Sequence, residues 1–123
     1  MSEYSGNIRD LPVVTGGHFI ENSTKKIVFG PDGQFLDDYV VRLFTLEPEA
    51  ESSTHSHPWP HWFLCNQGEG YFLIDKERVP LEFGTWVHVP GGVRHNFGNT
   101  GKGQLMALCI VPPEGDVNPL NGC

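Results

Sequence analysis

Long apolar runs are missing from this sequence. No stretch approaches the roughly 20 consecutive apolar residues that a membrane-spanning helix needs, and the opening MSEYSGNIRD lacks the apolar segment of a secretory signal. Basic charge is also scarce. Eight Lys and Arg stand against fifteen Asp and Glu, for a net charge of −7. That balance cannot build the basic stripe of a nucleic-acid-binding surface, and it disfavours an anionic membrane. The three cysteines, Cys65, Cys109 and Cys123, form no CxxC spacing. Cys65 and Cys109 lie in apolar runs, where buried thiols are expected, and the expected compartment is a reducing cytoplasm. No convincing amphipathic helix is present, which disfavours a helical bundle.

What the chain does contain is turn residues and aromatics. Fifteen glycines and ten prolines call for frequent turns, while eight Phe, three Trp and three Tyr in a 38% hydrophobic chain exclude disorder. At 123 residues the chain suits one domain with one core. Strands are expected at KKIVFG (25–30), DYVVRLFTLEP (38–48), TWVHVP (85–90) and GQLMALCIVPP (103–113). GYFLIDKERVPLEFG (70–84) reads as a hairpin turning near Asp75–Glu77. About eight short strands at regular spacing predict an all-β sandwich or barrel. The expected layout is an N-terminal arm or edge strand over 1–24, a barrel over 25–113 and a tail over 114–123.

Half of the six histidines fall in THSHPWPHWFLCNQGEG (54–70). His55 and His57 are two apart, so on a strand both rings leave from one face. Pro58 and Pro60 cannot donate ladder hydrogen bonds, so the chain bends at Pro-Trp-Pro and His61 opens the next segment. Taken alone, the cluster is equally consistent with metal ligands and with polar residues on an aromatic strand.

A second element decides between them. GTWVHVPGGVRHNFGN fits the pattern G-x5-P-x-G-x2-H-x3-N at Gly84, Pro90, Gly92, His95 and Asn99. The first stretch fits H-x-H-x3-E-x6-G at His55, His57 and Gly68, with His61 where glutamate is usual. Together the two motifs, over roughly residues 38–113, resemble the cupin superfamily. Two positions depart from the pattern: Glu49 stands where a glycine is expected, and His61 replaces the glutamate. RLFTLEP, HSHPWPH and LCIVPPEG resemble the small single-domain four-histidine cupins of bacteria and archaea, often manganese-containing. In those proteins glutamates flank the third histidine, where this chain has Pro60 and Trp62.

The resemblance implies a double-stranded β-helix, or jelly-roll, barrel. It also implies one divalent transition metal held by His55, His57, His61 and His95. Manganese or iron is favoured through the resemblance, while imidazole ligands also suit Zn, Ni and Cu. Four imidazoles carry no charge, so such an ion would keep its full +2 and act as a stronger Lewis acid. Four ligands on an octahedral ion leave two positions for substrate, whereas tetrahedral zinc would be closed.

Trp59, Trp62, Phe63, Phe72 and Phe97 are expected to divide between pocket lining and core. Arg42 is mid-strand and could pair with a substrate carboxylate, although an outward position is the simpler expectation. Cys109 could face the cavity, with a buried thiol the simpler reading. His88 is expected in a hydrogen-bonded structural role, Arg94 pointing away from the metal and His18 at the surface. The functional expectation is a small metal-dependent oxidoreductase, dioxygenase-like, acting on an organic molecule. The alternatives are a metal-dependent isomerase or lyase of a chelating, sugar-acid-like substrate, or a non-catalytic metal- or metabolite-binding protein. The expected partners are a small-molecule substrate and, by analogy with cupins, a second copy in a homodimer, with no nucleic acid and no membrane.

Overall fold

A computed structural model describes residues 4–14 and 20–116. Eight strands follow in order: β1 Ser23–Phe29, β2 Val40–Leu46, β3 His61–Gln67, β4 Gly70–Ile74, β5 Glu77–Leu81, β6 Trp86–Val89, β7 His95–Asn99 and β8 Leu105–Val111. The described helical segments are two 3-10 turns, Ile8–Asp10 and Pro113–Gly115. No helix among the described residues is long and apolar enough to cross a membrane.

Every strand pairing is antiparallel, in a five-stranded sheet ordered β1-β2-β8-β3-β6 and a three-stranded sheet ordered β5-β4-β7. Together they form a jelly-roll barrel, the all-β architecture expected. Alternation along each strand sets what faces inward. Val40, Phe44 and Leu46 of β2 turn into the core with Phe63 and Cys65 of β3, Val87 and Val89 of β6, and Leu105, Ala107, Cys109 and Val111 of β8. Phe72 and Phe97 arrive from the smaller sheet and stack 5.8 Å apart, with Phe63 edge-on to both. Each buried phenylalanine contributes on the order of 1.5–3 kcal/mol through the water it leaves.

Two motif positions have structural explanations. Asn99 is buried, and its amide donates to the carbonyls of Leu46 and Gly103 while its oxygen accepts from the Gly101 N–H. It ties the end of β7 to β2 with no polar atom left over. Glu49 has φ of +72° in a turn where the Ala50 N–H bonds the Glu47 carbonyl. With Pro48 second and a left-handed residue third, the turn is of the kind that asks for glycine. Here glutamate takes the strained position.

Arg42 reverses the outward expectation. It shares the inward parity of Phe44 and is 1% exposed. The charge is tolerated because Asp116, 74 residues away, lies 3.4 Å from one guanidinium nitrogen. The Cys109 sulfur also accepts from Arg42 at 3.1 Å, and the Phe44 ring lies beneath the guanidinium. Burial still lowers the pKa of Arg42 to about 10, with Asp116 opposing. Cys65 is a free buried thiol, whereas Cys109 is disulfide-bonded rather than the free thiol expected. Sequence spacing carried no sign of that bond. Cys123 and His18 lie outside the described residues.

Candidate metal centre

Backbone pairing delivers the first two histidines. His55 and His95 face each other across an antiparallel bridge, with N–H to carbonyl distances of 3.1 and 2.9 Å. Ser52 begins the same run along β7 by donating to the Phe97 carbonyl at 2.8 Å. His57 follows two residues after His55, and its carbonyl accepts from the Gly92 N–H at 2.7 Å. The chain then bends at Pro58-Trp59-Pro60, and His61 opens β3 on its inward face, fully buried.

The bend seats against the turn before His95. A Cβ at Gly91 would collide with the Pro58 carbonyl, so only glycine lets the two loops touch. Gly91 falls between the fixed positions of the second motif, and pattern matching alone missed it. The same contact fixes His57 and His61 relative to His95.

Each ring is held by its outer nitrogen. The Nδ1 of His55 donates to the Ser53 carbonyl, that of His57 to the Trp59 carbonyl and that of His95 to the Val93 carbonyl, all at 2.8 Å. A carbonyl can only accept, so these three Nδ1 atoms carry the hydrogen and Nε2 keeps its lone pair. His61 points Nδ1 at the Cys109 sulfur, 3.3 Å away. A disulfide sulfur has no hydrogen to give and accepts one only weakly, so His61 can carry its proton on Nδ1 or donate it from Nε2 to His95.

The Nε2 atoms of His55, His57 and His95 therefore converge as acceptors. His61 Nε2 lies 3.0 Å from His95 Nε2, and the buried His57 Nε2 has no hydrogen-bond partner. The ligand atoms of His55, His57 and His95 lie within 4.8 Å of one another. Ring centroids of neighbouring histidines are 4.5–5.6 Å apart around the cluster. A buried His57 nitrogen without a partner is costly, and lone pairs that converge with no proton between them repel. One cation would satisfy the lone pairs of His55, His57 and His95 together, a group that does not include His61. Two nitrogens about 2.1 Å from an ion and at right angles to each other stand about 3.0 Å apart. Three histidines are thus placed to hold a metal ion, and the donor set fits one.

Burial disfavours the charged form of two of these imidazoles. It lowers the pKa of His61 to about 2, assisted by the neighbouring His95 and His57, and it lowers that of His57. Among the described residues, the group able to hold a metal consists of histidines alone.

Aromatic residues frame the cluster. Trp59 stacks on His57 at 4.8 Å, so ring and carbonyl of one residue both hold that imidazole. Phe72 stacks beneath His95 at 6.1 Å, with Phe63 and Phe97 behind it in the core. Trp62 departs from the pocket expectation because it alternates outward from β3 and stacks on His88, also outward. Arg94 is exposed. The partnership of His61 with Cys109 joins residues 48 apart through two strands and left no mark in the sequence.

The cupin domain family matches residues 42–111, more than half of the chain. The protein is a cupin. Solved structures similar to this cupin include the polyketide cyclase RemF of Streptomyces resistomycificus, at 17% identity and a TM-score of 0.76 over 91% of this chain and 80% of that one. Another is a predicted oxalate decarboxylase of Thermotoga maritima, at 16% identity and 0.73 over 86% and 96%. A sugar phosphate isomerase of Silicibacter pomeroyi matches at 19% identity and 0.71 over 86% and 73%. At these identities the likeness concerns the fold. No curated protein matches this cupin in sequence.

Proposed function

We propose that this cupin is a metal-dependent enzyme of the oxidoreductase class. In this reading His55, His57, His61 and His95 hold one divalent transition metal beside a small organic substrate. The observation that carries the metal reading is the convergence of the His55, His57 and His95 ligand atoms within 4.8 Å while each Nδ1 donates to a backbone carbonyl. When bound, manganese or iron would supply Lewis acidity and redox capacity.

The chain's own residues set the conditions around it. Four neutral imidazoles leave the charge of the ion uncompensated, which favours its divalent state. The Nδ1 anchors fix the ring orientations before any ion arrives. Phe63, Phe72 and Phe97 close the inner side with apolar surface. No carboxylate joins the histidine group among the described residues, which argues for metal-centred chemistry over proton shuttling by an adjacent acid.

A second reading keeps the centre and assigns it to an isomerase or lyase of a chelating substrate. The cyclase and isomerase among the structural relatives motivate it. Elemental analysis with electron paramagnetic resonance, on protein purified without added metal, tests the first reading. Near-stoichiometric manganese or iron with exchangeable water is expected. Zinc in a closed tetrahedron would defeat it, and metal-dependent turnover that persists without oxygen would favour the second reading.

A further inference from the structure

Two cations on neighbouring strands turn to the barrel interior and meet on one carboxylate oxygen. Lys25 of β1 lies opposite Phe44 in the β1–β2 register, and Arg42 shares the inward parity of Phe44. The Lys25 ammonium stands 2.7 Å and the Arg42 guanidinium 3.4 Å from the same atom, Oδ1 of Asp116. The guanidinium also donates to the Cys109 sulfur, which in turn faces Nδ1 of His61. The cationic pair thus lies beside the histidine cluster, with one sulfur atom between them.

The carboxylate comes from one short turn that fits its seat imperfectly. Asp116 caps the 3-10 turn Pro113–Gly115, and the N–H groups of Gly115 and Asp116 bond back within it, to the Pro112 and Pro113 carbonyls. Gly115 packs on the Trp59 indole, where a Cβ would fall 2.6 Å from Nε1. That Nε1–H is buried and has no hydrogen-bond partner among the described residues, a costly state for a donor. Because Trp59 stacks on His57, the orphaned donor borders the same cluster. From these contacts we infer that Lys25 and Arg42 form a binding site for the carboxylate of a substrate, that Asp116 fills it in the resting protein, and that Trp59 supplies a further donor once the turn moves off.

Electrostatics selects the ligand class. Burial pushes the pKa of Lys25 down and that of Arg42 to about 10, and Asp116 opposes the fall at both. A carboxylate is therefore what keeps the two cations charged side by side. A neutral or cationic molecule could not take its place, because breaking a buried ion pair is strongly destabilising. Another carboxylate can, and its charge-assisted hydrogen bonds would match those it displaces. The inference deepens the proposed function by naming the substrate class, and it rests on that reading only in calling the ligand a substrate.

Titration of the full chain with acetate, the Asp116 side chain as a free molecule, is the test. Proton–nitrogen correlation spectra read the Trp59 indole N–H. Metal is removed first, so that no ion can take up the carboxylate. Asp116→Asn should bind acetate about tenfold more tightly than the wild type, the gain expected when an internal competitor holds the site about nine-tenths of the time. The Trp59 resonance should move downfield as its donor finds an acceptor, and acetamide should move it in neither protein. Adding Lys25→Met to Asp116→Asn should abolish the gain. If Asp116→Asn fails to fold, Gly115→Ala, which pushes the turn off Trp59 with every charge in place, should still tighten binding about threefold. Equal affinity in variant and wild type, no binding in either, an equal response to acetamide, or a gain that survives loss of Lys25 would overturn the inference. Any of these beside near-stoichiometric manganese or iron would spare the oxidoreductase reading. Acetate binding as expected, in a protein that carries closed zinc, would sink that reading and spare the carboxylate site.

Discussion

His61 Nε2 and His95 Nε2 stand 3.0 Å apart, with the other nitrogen of His95 donating to the Val93 carbonyl and that of His61 facing the Cys109 sulfur. Beside this contact the ligand atoms of His55, His57 and His95 lie within 4.8 Å of one another, and each of those three rings donates its Nδ1–H to a backbone carbonyl. Three Nε2 lone pairs therefore converge where they could hold a metal ion, with the His61 ring packed against them.

Replacing His61 with alanine should lower metal affinity by about two orders of magnitude or more, since loss of a mere supporting partner already costs 10–100-fold. Elemental analysis after dialysis reads this directly. Unchanged occupancy would remove His61 from the ligand set. In the wild type, chelation should lower the melting temperature, because an ion at about 1,000 times its dissociation constant contributes about 4 kcal/mol.

Acid should destabilise the metal-free protein, and the direction follows from His61. Its folded pKa is about 2, held down first by burial, while an unfolded histidine titrates near 6.5. Above about pH 6.5 both states are neutral and the group contributes nothing to the pH dependence. Below that, the unfolded chain binds a proton the folded one refuses, and stability falls by up to roughly 1.4 kcal/mol per pH unit. His57 is shifted in the same direction by burial. Melting chelator-treated protein at about pH 7.5 and about pH 5 should show the loss; equal melting temperatures would mean the folded imidazoles accept protons.

Glu49→Gly should stabilise the fold by about 1 kcal/mol, because glycine removes the left-handed strain at φ +72°. Urea unfolding measures it. A destabilised variant would show that the glutamate side chain earns its place through contacts that outweigh the strain.

Gly91→Ala should cost about 1–3 kcal/mol by pushing the Pro58 carbonyl away from the turn before His95. Metal affinity should fall with it, since that contact holds His57 and His61 in register with His95. Melting and metal titration of the variant should move together; loss of stability with intact affinity would uncouple the loop contact from the site.

Much of the fold was legible in the sequence. Alternating β-branched and aromatic runs between Gly and Pro turns gave eight strands, because a period of two and a turn residue are local properties. The two histidine motifs were legible for the same reason: fixed spacings place residues on a face or at a turn. Glu49 was legible as a missing glycine, and the structure supplied the cause in its left-handed backbone.

What the sequence by itself determined, then, was the all-β class, the strand order along the chain and the residues that carry the chemistry. Tertiary structure decided the rest, through contacts between distant segments. Arg42 turned inward because Asp116 and Cys109 meet it there. Trp62 went outward because His61 claimed the inner face of β3. The tautomers of His55, His57 and His95 were set by backbone carbonyls two residues away, and His61 met the Cys109 sulfur on another strand. Burial and partner choice depend on which segments fold against one another, and spacing along the chain does not encode that.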